Sequence, residues 1–63
     1  MEKLKLAKAL FTQPLTLDEL RKLEQLEQQA QGEERQYITA LWSTAYDKVN
    51  PVVLRQARVA GLL

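Results

Sequence analysis

Cysteine and histidine are both absent from this chain. Without cysteine no disulfide framework can stiffen it. Without either residue, the sulfur and imidazole ligands of a soft-metal site are missing as well. A Ser43 nucleophile would find no ordinary base to activate it, so acyl-transfer chemistry of the triad kind is poorly provided for. Glycine is reduced to two isolated residues, Gly32 and Gly61, which excludes a glycine-rich phosphate loop. Long apolar runs are lacking too, and nothing approaches the ~20 residues needed to span a bilayer. The lysines near the start are not followed by the apolar stretch of a secretory signal. The expectation is a non-enzymatic, cytoplasmic protein with no cofactor.

At 63 residues the chain is expected to form a single domain spanning 1–63. A chain of this size buries only about 60% of its unfolded surface, which leaves it marginally stable. Small domains without staples depend on well-formed helices or on association. A protein partner or a homodimer is therefore expected from size alone.

The net charge is only +1, but it is unevenly distributed. Residues 1–13 carry +2, residues 14–31 carry −2, residues 32–49 carry −1 and residues 50–63 carry +2. An autonomous nucleic-acid binder usually presents one strongly basic face. An acidic middle between basic ends suits docking to a basic partner instead.

Apolar periodicity predicts an all-α protein, a small bundle of three to four short helices, and no strand. The first helix is expected over residues 2–12, where Leu4, Ala7, Leu10 and Phe11 recur at helical spacing and Pro14 forces a stop. The second begins at Thr16, which with Glu19 forms a capping box, while Leu15 and Leu20 occupy the positions of a hydrophobic staple. Asp18 adds negative charge where the helix dipole favours it. Leu17, Leu20, Leu23 and Leu26 form the apolar stripe, and Gly32 is expected to stop the helix. A third helix starts at Glu33 and Glu34 and buries Tyr37, Ile38, Leu41, Trp42, Ala45 and Val49. Asn50 then reads as an N-cap with Pro51 at N1. In the fourth helix Val53, Leu54, Ala57 and Ala60 are expected to face inward, Arg55 and Arg58 outward, with Gly61 at the end.

Trp42 is expected to anchor the core. Tyr46, one turn later, is the better candidate for an exposed hot spot. Glu24 and Glu27 are most simply a solvated face, with Glu24 also a candidate for contact to a basic partner. Lys3, Lys5, Lys8, Arg55 and Arg58 are candidates for weak, salt-sensitive phosphate contacts.

Three segments resemble the small Hha/YmoA-type modulators of enterobacterial gene expression. Thr16-Leu17-Asp18-Glu19-Leu20 is similar to the Thr-Ile-Asp-x-Leu start of that family's second helix. Leu41-Trp42-Ser43-Thr44-Ala45 is similar to its aromatic-Ser-Ala-Ala segment. Tyr46-Asp47-Lys48-Val49 with Pro51 is similar to its Tyr-Asp-Lys-Ile-Pro run, although the last two segments are contiguous here and separated in the family. The resemblance implies a four-helix co-regulator that binds the dimerisation region of a histone-like nucleoid-structuring protein. It implies an interface in which carboxylates face arginines, with Asp18 and, shifted by one, Asp47 in that role. The basic residues at both ends would then face DNA in the assembly.

Two other readings stand beside this one. A direct DNA- or RNA-binding regulator would need a basic recognition helix, and residues 33–49 hold only Arg35 and Lys48. A phage or plasmid accessory protein that binds a host protein fits the size and the charged helices equally well.

Overall fold

A computed structural model describes residues 1–62. It contains four helices in chain order: α1 (Glu2–Leu10), α2 (Leu17–Gln29), α3 (Gly32–Lys48) and α4 (Pro51–Val59). The first three pack against one another, and α4 lies against α2. No strand occurs among the described residues, so the protein is all-α, as the periodicity requires.

Local signals account for the start of α2 and for both ends of α4. At the start of α2 the Thr16 amide donates to the Glu19 carboxylate at 3.2 Å, closing the capping box. The Thr16 hydroxyl also donates to that carboxylate, and this hydrogen bond is the main reason the Glu19 carboxyl is held below its ordinary value of 4.5. Leu15 and Leu20 are both buried, as a staple demands. At α4 the Asn50 side chain accepts from the Val53 amide at 2.9 Å, with Pro51 in the first turn. The same helix closes with a Schellman motif. The Leu62 amide donates to the Ala57 carbonyl at 2.8 Å and the Gly61 amide to the Arg58 carbonyl at 3.1 Å. Gly61, at φ +78°, supplies the left-handed residue that the motif needs.

The core is thin. Its buried members are Ala7, Leu15, Leu20, Leu23, Ala30, Ile38, Ala45, Val53 and Ala57, and only Leu20, Leu23 and Ile38 are large and fully enclosed. Alanines on all sides let the helices approach closely, so the space between them closes without bulky side chains.

Several expectations need correction. The first helix ends at Leu10 rather than residue 12, with Phe11 as its cap and the Thr12 hydroxyl bonding back to the Ala9 carbonyl at 2.7 Å. Gly32 does not stop α2. The cap there is Ala30, in extended conformation and fully buried, while Gly32, at φ +61°, opens α3. Tyr37 is half exposed rather than buried, because Ile38 takes the inward position and a 100° step per residue leaves its predecessor on the flank. Trp42 is half-buried beside the core rather than at its centre. An indole is too large for an interior lined by alanines, and tryptophan is rarely enclosed completely. Leu41 and Val49 likewise pack on the margin, and Leu54 is half-buried rather than enclosed. Ala60 is exposed, one residue beyond the end of α4.

One tie was invisible in the sequence. The Leu4 amide in the first turn of α1 donates to a Glu34 carboxylate oxygen at 3.1 Å, thirty residues away. Glu34 thus caps α1 from α3 and satisfies one of the donors that every helix start leaves free. Replacing Glu34 by Ala is expected to cost about 1 kcal/mol, within the usual range for a lost cap. Glu33→Ala, at an exposed neighbour, should cost only a few tenths of that through the helix dipole. Urea denaturation of the two variants checks the contrast, and equal losses would reject the cap.

Candidate functional site

The C-terminal half of α3 presents the site. Ile38 and Ala45 are fully buried and Val49 is half-buried beside them, which fixes the rotation of the helix on the bundle. At about 100° per residue, Tyr46 is then turned to the flank and Asp47 to nearly the opposite side from the core. Both are exposed, Tyr46 at 43% of its surface. The helix end holding them is firm. The Val49 amide donates to the Ala45 carbonyl at 3.0 Å, and Val49 and Asn50 run extended straight into the capped start of α4.

Electrostatics separates Asp47 from the other carboxylates. Asp47 lies in the last turn of α3, where the partial negative charge of the helix dipole makes a carboxylate unfavourable by about 0.3–1 kcal/mol. Asp18 lies in the first turn of α2, where the same dipole favours it. The dipole therefore favours Asp18 and disfavours Asp47, which shares its turn with Lys48.

The remaining candidates are scattered. Glu24 is half-buried on α2, about 120° around the helix from Asp18, so the two do not share a face. Glu27, expected on a solvated face, is half-buried and accepts from the Thr39 hydroxyl of α3 at 2.6 Å. That hydroxyl also lies 2.8 Å from the Arg35 carbonyl, so its single proton is shared between a cross-helix contact and the preceding turn. The contact is structural and is not legible from spacing within either helix. On α1, Lys5 and Lys8 are exposed while Lys3 is half-buried, about 160° around the helix from Lys5. The three lysines therefore do not form one patch. Arg55 and Arg58 are exposed on α4, which packs on α2.

What sequence reasoning missed is a groove between α2 and α4 lined by Leu17, Arg21, Arg55, Gln56, Val59 and Ala60. Val59 is 86% exposed and Val52, two turns earlier on the same stripe, 66%. Their i, i+7 spacing was the available signal.

No side chain with a polar or charged end is buried among the described residues. No group of three or more acidic residues is close enough to hold a metal ion among them, and no helix is long and apolar enough to cross a membrane. No family model matches the chain, and neither a curated protein nor a solved structure matches it.

Proposed function

We propose that this protein is a non-enzymatic interaction module, a cytoplasmic co-regulator of gene expression that docks to a basic, nucleoid-structuring partner through the end of α3. The observation that carries the reading is an exposed carboxylate at the unfavourable end of α3, with an exposed tyrosine about 100° around the helix from it. A tyrosine supplies rigid, amphipathic contact area, and a neighbouring carboxylate supplies the complement to arginine. The charge profile of the chain agrees, with net negative charge over residues 14–49. The resemblance of the Thr16–Leu20 and Tyr46–Val49 segments to the Hha/YmoA-type modulators supplies the partner class.

The test separates binding from folding. Asp47→Asn is expected to leave stability within about 0.5 kcal/mol of the parent, as for an ordinary surface position. Removing the repulsion from the helix dipole should make any small change favourable. Affinity for the dimerisation region of the nucleoid-structuring protein should fall several-fold, with a weaker dependence on salt. Calorimetric titration and a thermal melt on the same samples measure both. Unchanged affinity, or a large loss of stability, would remove Asp47 from the interface.

A further inference from the structure

We infer that the groove between α2 and α4 is a second docking site, which takes an acidic amphipathic helix from a partner protein. Its lining combines apolar Leu17, Val59 and Ala60 with Arg21 and Arg55, and no carboxylate lines it. The open space amounts to about 500 Å³. On its rim stands the most exposed large apolar side chain among the described residues, Val59 at 86%. Val52 continues the same stripe on α4 for two turns.

Three arguments fix the occupant. A trough between two packed helices accepts a third helix by the ridges-into-grooves packing that joined the first two. A second copy of this chain fits badly. A two-fold interface sets a patch against itself, so Arg21 and Arg55 would meet arginines with no carboxylate in the lining to offset them. A nucleic acid fits no better, because two arginines neutralise few phosphates and the apolar floor would face a charged backbone. A helix with leucine-type residues along one face and glutamates flanking them satisfies both the floor and the arginines, which can clamp carboxylates in bidentate fashion.

This site differs in sign and in place from the Tyr46–Asp47 surface. If both operate, the protein bridges a basic partner and an acidic one.

The experiment uses the intact chain and a fluorescein-labelled synthetic helical peptide of about four turns, with leucines at i, i+4 and i+7 flanked by glutamates. A control peptide carries lysine in place of each glutamate. Fluorescence anisotropy should show saturable binding of the acidic peptide alone. Arg55→Glu and Val59→Asp, both at exposed positions, should each weaken that binding by about tenfold or more. Asp47→Asn should leave it unchanged, so failure here is distinguishable from failure of the proposed function. Absence of binding would overturn the assignment. Equal binding of both peptides, or full affinity in Arg55→Glu or Val59→Asp with the helical spectrum intact, would overturn it as well.

Discussion

Leu20→Ala is expected to leave this protein largely unfolded at physiological temperature. Leu20 is fully enclosed, one of three large side chains that are, and it fastens the N-terminal staple of α2 to the bundle. Truncating a buried leucine costs about 2–5 kcal/mol, the lost transfer energy plus the cavity left behind. A chain of 63 residues holds roughly 3–9 kcal/mol in total, at the usual stability per residue. The loss is therefore most of what exists. In a domain this small each kcal/mol moves Tm by about 4–8 °C, so a fall of roughly 8–40 °C is expected. Relaxation offers only partial rescue, because half of the other buried core residues are alanines that cannot swing into the gap. Leu17→Ala, at a half-buried site on the same helix, should cost clearly less. Thermal melts followed by circular dichroism measure both variants. A Leu20→Ala protein with Tm within a few degrees of the parent would mean that the core lies elsewhere.

The second large effect is conformational. Gly32 opens α3 at φ +61°, and nothing lies within 4 Å of where a Cβ would stand. A side chain there meets no neighbour, so any cost of substitution comes from the backbone itself. The left-handed conformation costs an L-residue about 1–2 kcal/mol, with β-branched residues at the upper end or beyond and asparagine affected least. The expected order of stability is therefore Gly32, then Gly32→Asn, then Gly32→Ala, with Gly32→Val lowest. Chemical denaturation gives the ranking directly. A Gly32→Val protein as stable as Gly32→Asn would show that position 32 does not hold a positive φ in solution.

These two sites also show what the sequence could and could not reveal. The capping box at Thr16 and Glu19 and the cap at Asn50 and Pro51 are written in residues three apart or fewer, and both stand as expected. Gly32 reads as punctuation that ends α2, and in the structure it opens α3 instead. A glycine at positive φ serves the end of one helix or the entry to the next, and spacing does not distinguish them. Tertiary features left no local trace. The Glu34 cap on Leu4 and the Glu27 contact with Thr39 join residues thirty and twelve apart. Each glutamate looks like an ordinary polar helix residue when its helix is viewed alone. Trp42 illustrates a different shortfall. Periodicity places it correctly toward the bundle, but how far a side chain sinks depends on the volume its neighbours leave. Here those neighbours close the space first.

The site follows the same division. Of the two aromatic residues one turn apart, Tyr46 is the better candidate for exposure in the sequence, and the structure leaves 43% of its surface open. Asp18 and Glu24, both candidates for contact to a basic partner, are parted by helix rotation, and Glu27, read as part of a solvated face, is engaged by Thr39. Asp47 gains weight from its position instead. It is an exposed carboxylate that the α3 dipole disfavours, with an exposed tyrosine about 100° around the helix from it.

The most direct test is an NMR titration of isotopically labelled protein with the N-terminal dimerisation region of the nucleoid-structuring protein. Saturable amide shifts centred on Tyr46 and Asp47 are expected, reaching into the start of α4 and weakening as salt is raised. A well-folded sample that shows no shifts, or shifts that spare the end of α3, would contradict docking there.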